Sequence, residues 1–217
     1  MIEHVVRQGE YLSRIAKAHG FADYRTIWDH PRNAALKTKR QNPNVLLEGD
    51  KLFLPPRELK EEPRATEQRH RFEVKRKPLM LRLQLEDAFL KPLANAKCEL
   101  TVKGATIKLV TDGNGRLEHE IPPDTEEAGL VIKDALSSLN DLEIPIQIGH
   151  LNPVDELSGQ KARLNNLGYF SGPLDQEDQA LFRSAVEEFQ CDHMGRSAVD
   201  GKCGPKTRAK LKEVHGC

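Results

Sequence analysis

Aromatic side chains are scarce in this chain: seven Phe, three Tyr and one Trp make up 5% of its 217 residues. All hydrophobic residues together reach only 38%. That supply is too thin for one large core and suits several small ones. The length fits one or two ordinary domains, or three small ones. No apolar stretch approaches the ~20 residues that a membrane-spanning helix needs, so no membrane insertion is expected. There is no excess of charge either, since 33 basic side chains face 33 acidic ones. Nucleic acid and anionic membranes are usually met by a basic surplus. Neither is an expected bulk partner.

Sequence signals for catalysis are equally sparse. The eight histidines are scattered, and neither H-E-x-x-H nor G-x-S-x-G occurs. Asp192-His193 is the nearest approach to an acid–base pair, and such a pair in a polar loop ordinarily sits on the surface. Adjacent acids such as Glu126-Glu127 and Glu187-Glu188 point apart on a strand or helix. The four cysteines form no C-x-x-C pair, which argues against a zinc ribbon or a thioredoxin-type motif. Cys191 and Cys203 share one C-terminal segment. They are a candidate disulfide in an oxidising space, and separate thiols is the equal alternative. No catalytic residue, metal site or cofactor is expected.

Three patterned segments are present. In residues 1–57, Val5-Val6 is a short β-like start and Gln8-Gly9-Glu10 a turn. Leu12, Ile15 and Ala16 then share one helical face, with Gly20 at the C-terminal glycine position. Tyr24–Trp28 reads as a second helix, Asn33–Leu36 as the start of a short turn, and Leu52–Leu54 as a strand, in the order β-α-α-β. Residues 58–71 are almost wholly polar and read as a linker. In residues 72–150, Phe72/Val74, Leu79/Leu81/Leu83/Leu85 and Leu100/Val102 alternate with polar residues, the period-two signature of half-buried strands. Asp112–Gly115 offers a hairpin turn between strands at Ile107–Val110 and Arg116–Glu120. Leu130–Ile132 and Ile144–Ile148 add two more. In residues 151–217, three helices are expected. Asp155 or Ser158 caps the first, Asp178 the second (through Gln190) and Thr207 the third. The expected class is multidomain α+β: a β-α-α-β unit, a central antiparallel β-sandwich and a C-terminal three-helix bundle.

Residues 4–54 resemble a LysM domain. The match runs through Val6-x-x-Gly9-Glu10-Tyr11-Leu12-x-x-Ile15-Ala16 and Ile27-Trp28, then Asn42-Pro43-Asn44-Val45-Leu46-Leu47-Glu48-Gly49-Asp50-Lys51-Leu52-Phe53-Leu54-Pro55. Two departures stand out. Glu10-Tyr11 occupies the place of the family's usual Asp-Thr or Asp-Ser, and an insertion with Lys37-Thr38-Lys39-Arg40 separates Trp28 from Asn42. Residues 151–217 resemble the three-helix peptidoglycan-binding domain found beside many cell-wall hydrolases. The carriers are Gln160-x-x-Arg163-Leu164-x-x-Leu167-Gly168-Tyr169, Gly172-Pro173-Leu174-Asp175, Ala185-Val186-x-x-Phe189-Gln190 and Val199-Asp200-Gly201-x-x-Gly204-Pro205-x-Thr207. The middle segment, through Lys91–Ala96 and Thr111–Leu117, looks like transthyretin-like or immunoglobulin-like sandwiches.

These resemblances imply non-enzymatic binding of bacterial cell-wall peptidoglycan at both ends. The partners would be its N-acetylglucosamine-containing glycan and its stem peptide. The LysM resemblance places a glycan groove at Gln8, Gly9, Glu10 and Tyr11 with Pro43, Asn44, Leu46 and Leu47, where Tyr11 and Leu46 would offer contact surface. The C-terminal resemblance places a groove near Tyr169, flanked by Asp175, Asp200, Gly201 and Gly204. Each set has a plain structural alternative: Leu46 as core, and Asp200-Gly201 and Gly204 as turn residues. The start MIEHVVRQGE lacks a basic opening and apolar run, so no secretory signal is expected. Synthesis in the cytoplasm and delivery to the periplasm or wall by a secretion machine is the implied route. The whole arrangement resembles proteins associated with type VI secretion and other contractile injection systems. This makes a structural adaptor, using LysM as a protein joint to spike or tail components, the alternative. A cell-wall hydrolase ranks last.

Overall fold

The computed structural model describes residues 2–57, 61, 63–72, 78–133 and 141–217. The expected strand through Val74, and residues 58–60 and 62 of the expected linker, lie outside them. The chain is mixed α+β with antiparallel sheets. It divides into two compact units, residues 1–44 with 48–148, and residues 45–47 with 149–217.

In the first unit, β1 (Ile2–Val5) pairs antiparallel with β2 (Lys51–Leu54), in register from Ile2↔Leu54 to Val5↔Lys51. Between them, α1 (Leu12–Ala18) buries Leu12, Ile15 and Ala16, and α2 (Arg25–Trp28) buries Ile27 and Trp28. Gly20 closes α1 at φ +76°, with its amide on Lys17 O and the Phe21 amide on Ala16 O. That is the Schellman arrangement, and its left-handed residue favours glycine. The insertion is more than a turn. A 3₁₀ turn at Pro31–Asn33 leads into a full helix, α3 (Ala34–Arg40), so the order is β-α-α-α-β. Its Ala-Ala-Leu-Lys opening has high helix propensity, and tertiary contacts hold both ends. Asn33, 2% exposed, donates to Ile27 O and Phe53 O and accepts from the Phe53 amide. Arg40 makes a buried bidentate pair with Asp50 at 2.7 and 2.8 Å.

Among the described residues the same unit continues with six strands: β3 (Leu79–Gln84), β4 (Lys97–Val102), β5 (Ala105–Val110), β6 (Arg116–Ile121), β7 (Glu127–Ile132) and β8 (Leu142–Gln147). They form a β3-β6 sheet and a β5-β4-β7-β8 sheet. Cys98, Leu100 and Val102 of β4, Leu117 and Ile121 of β6, and Leu130 and Ile132 of β7 share one buried core. The expected β5–β6 hairpin does not form. β5 turns back on β4 through Lys103-Gly104, both at positive φ. The Asp112–Gly115 turn instead carries the chain across to the other sheet. There the Asp112 carboxylate accepts the Asn114 and Arg116 amides, and Gly115 lies so close to the Leu85 carbonyl that no side chain fits.

The second unit holds α4 (Leu157–Asn166), α5 (Gln179–Met194) and α6 (Pro205–His215). Leu164, Tyr169, Ala185, Val186, Phe189 and Leu211 form its core. Gly168 (φ +89°) ends α4, as its position after Leu167 suggests. Asp178 caps α5 as expected, its Oδ1 accepting the Ala180 and Leu181 amides at 3.0 Å. The other two caps differ from expectation. Glu156 stands at the start of α4 without a side-chain cap, because Asp155 pairs with Arg208 and Ser158 accepts from Asn152. Thr207 lies inside α6, where Pro205 takes the first position, and its hydroxyl is held by Gln190.

Candidate functional site

In the N-terminal segment, the Leu12 amide donates to Pro43 O at 3.3 Å, tying the loop after β1 to residue 43. Gln8 and Asn44 are exposed there, while Pro43 and Leu47 are half-buried. Gly9 is buried at φ +79°. Tyr11 and Leu46 are 1% and 4% exposed, so neither offers the contact surface expected of it. Tyr11 donates its hydroxyl to Thr125 O at 2.7 Å, and burial pushes that hydroxyl up to about 12. Glu10 accepts from the Arg7 amide and lies 2.8 Å from His4 Nε2. Burial opposes its ionisation, but those two hydrogen bonds outweigh it and lower the carboxyl below its ordinary value. Both residues that depart from the LysM pattern therefore serve contacts within this unit. Two ion pairs follow Tyr11 along α1: Arg14 with Glu126 at 2.6 Å, and Lys17 with Asp124 at 2.6 Å. Lys103 meets the same Asp124 at 2.7 Å, and the cations hold its carboxyl down to about 2. An open depression of about 1190 Å³ lies beside these pairs, floored by Thr101, Gly129 and Pro145, which are cross-strand neighbours on β4, β7 and β8.

In the second unit, two buried polar side chains, Lys161 and Gln190, and half-buried Asn165 set two loops. Lys161, with no exposed surface, donates from Nζ to Pro173 O and Gln176 O, both at 2.6 Å. Asn165 accepts from the Ser171 amide and donates to Gly172 O. Gln190, 1% exposed, accepts the Asp200 and Gly201 amides and donates to the Asp200 carboxylate, Lys202 O and Thr207. Gln190, then the Lys202 amide, lowers the Asp200 carboxyl. Buried polar groups persist only when hydrogen-bonded, so each of these side chains dictates a backbone path.

The loops so placed surround a groove of about 490 Å³. Leu157 and Phe182 supply its apolar surface, Glu177 and Asp178 its acids, and Lys161 and Arg183 its cations. Gly201, at φ +68°, forms part of the wall, and an added Cβ would come within 2.7 Å of Arg183 Cγ and Glu187 Oε1. The missing side chain is what lets the Arg183–Glu187 ion pair (2.8 Å) lie across this loop. A groove of this size, part apolar with a few polar groups, suits a small amphiphilic ligand.

Of the expected C-terminal residues, Gly201 lines the groove, Asp200 accepts the Lys202 amide within its loop, and Asp175 is exposed on the preceding loop. Gly204 stands at the start of α6. Tyr169 is 6% exposed, packs edge-on against Phe189, and donates its hydroxyl to Asp192 at 2.9 Å with His193 Nε2 at 3.0 Å. It presents no ring face to a ligand, and Asp192-His193 serves it as an anchor. Cys191 and Cys203 are separate thiols here, and burial pushes Cys203 up to about 11. Lys161, Phe182 and Arg183 also line the groove, and of these only Phe182 carries a sequence signal, its apolar spacing on a helical face. Among the described residues, no group of three or more His, Cys, Asp or Glu is arranged to hold a metal, and no helix is long and apolar enough to cross a membrane.

No curated protein and no solved structure matches the chain. Residues 158–211, from the first turn of α4 into α6, match the family model described as "Putative peptidoglycan binding domain", and the chain thus carries a C-terminal peptidoglycan-binding domain.

Proposed function

We propose that this protein binds bacterial peptidoglycan without cleaving it, and that the groove between α4, α5 and the Asp200-Gly201 loop is its principal wall contact. The observation that carries this reading is the open groove within the segment that matches a peptidoglycan-binding family. Asp178, one of the groove's two acids, is committed to capping α5. In this reading residues 1–57 form a LysM-like module, 58–71 a linker, 72–150 a sandwich spacer and 151–217 the peptidoglycan-binding module. Sedimentation with insoluble sacculi tests it. The full-length protein pellets, and Leu157→Asp, at an exposed groove position, weakens pelleting about tenfold, the scale of about 1.4 kcal/mol. If the unmodified protein stays in the supernatant at every concentration, the reading fails.

A second reading rests on a different observation. One face of α1 is engaged by Thr125, Glu126 and Asp124. A LysM-like segment already used as an intramolecular protein joint is consistent with an adaptor of a contractile injection system, which would also supply the route out of the cytoplasm. Co-purification with spike or tube components would support it.

A further inference from the structure

Lys161 is the least conventional group in the C-terminal groove. Its ammonium has no exposed surface and donates to two neutral carbonyls, Pro173 O and Gln176 O. Among the described residues no carboxylate lies within ion-pair distance of it. A buried cation without a counter-charge is costly, and it projects positive potential through a low-dielectric wall into the space beside it. Arg183 adds a second cation, exposed and anchored to Glu187. Glu177 and Asp178 bring negative charge at the start of α5, and Arg183 follows five residues after Asp178, about 7.5 Å along the helix axis. Leu157 and Phe182 supply apolar surface to the same groove.

Sugar hydroxyl and N-acetyl groups can be met by neutral or charged hydrogen-bonding groups alike, but acids and cations set apart in one groove are fully used only by a ligand that itself carries both charges. We infer that the groove recognises the stem peptide of peptidoglycan rather than its glycan strand, with a peptide carboxylate drawn to the Lys161–Arg183 side and a side-chain ammonium to Glu177. The methyl groups of the peptide's alanines match Leu157 and Phe182. This inference rests on the peptidoglycan-binding reading above.

The test is competition. Full-length protein is bound to intact sacculi, then challenged with a free stem tetrapeptide containing a diamino acid, or with neutral N-acetylglucosamine glycan chains, which carry neither peptide nor lactyl carboxylate, at equal concentration. The tetrapeptide is expected to release the protein and the glycan chains to leave it bound. Arg183→Glu, an exposed site whose fold is checked by circular dichroism, is expected to weaken tetrapeptide binding about tenfold, the scale of one charge-assisted contact. Raising the salt concentration is expected to weaken it further, because exposed charges are screened. Release by glycan chains and not by the tetrapeptide overturns the inference while leaving peptidoglycan binding intact. Equal tetrapeptide affinity in Arg183→Glu also overturns it. Failure of the unmodified protein to bind sacculi at all removes both.

Discussion

The two ends of the chain use polar side chains in opposite ways. At the N-terminal end, the residues with the best resemblance-based claim to a ligand turn inward: Tyr11 is buried and bonded to Thr125, and Glu10 is held by Arg7 and His4. At the C-terminal end, buried Lys161 and Gln190 and half-buried Asn165 spend their hydrogen bonds on backbone and shape loops that leave a groove open. A residue type in a motif thus says little about whether it meets a ligand or builds the wall that does. Burial and hydrogen-bond partners separate the two roles.

The sharpest way to break this comparison is Gln190→Leu. It removes a buried amide that satisfies the Asp200 and Gly201 backbone and Thr207. Stranded buried donors cost about 1–3 kcal/mol each, and these two amides are only part-buried, so the substitution should destabilise the second unit by roughly 3 kcal/mol. It should also abolish sacculus pelleting, read by urea denaturation and sedimentation. An unchanged urea midpoint would show that the loop is held by something else.

Acid should loosen the two units in different windows. Burial, with Arg163 nearby, pushes His215 in α6 down to about 4 from its ordinary 6.5. The unfolded chain therefore takes up this proton first, and the second unit loses stability as pH falls from about 6.5 to about 4, by up to about 3 kcal/mol. Asp124 in the first unit has the opposite chemistry. Its folded carboxyl is held down to about 2, so its contribution is full above about 4 and disappears as pH falls from there towards 2. The Asp124 effect is the smaller, because a third of that side chain is exposed. Hydrogen exchange at pH 7, 4.5 and 2.5 would read both, and His215→Phe should flatten only the upper window.

The smallest effect is expected from Tyr11→Phe. It leaves the ring in place and removes the bond to Thr125 O, at about 1 kcal/mol. Sacculus binding should not change. A loss of binding without a matching loss of stability would place the Tyr11 hydroxyl at a ligand and restore symmetry between the ends.

Much of the fold was legible. Gly20 and Gly168 announce helix ends because few other residues accept a left-handed backbone. The alternation of Leu79, Leu81 and Leu83, and of Cys98, Leu100 and Val102, announces strands with one inward face. Strand partners were less legible. Asp112–Gly115 has the composition of a hairpin turn, yet the hairpin forms at Lys103-Gly104, which carries a weaker signal. Turn composition reports that the chain reverses, and the sheet it joins depends on which apolar faces meet. The helix of the insertion extends past the short turn expected there, since its stability draws on Asn33 and the distant Asp50.

The features legible in the chain alone are local: where helices and strands lie, where the backbone must turn left, and that residues 158–211 match a peptidoglycan-binding family model. Those properties depend on neighbours within a few residues, or on a pattern read position by position. Tertiary structure alone decided which polar groups are buried. Lys161 and Arg183 are both basic helix residues in one domain, yet one has no exposed surface and the other is more than half exposed at the groove. That difference arises from loops distant in sequence closing over one side chain and not the other, and it sets the charge the groove shows to a ligand.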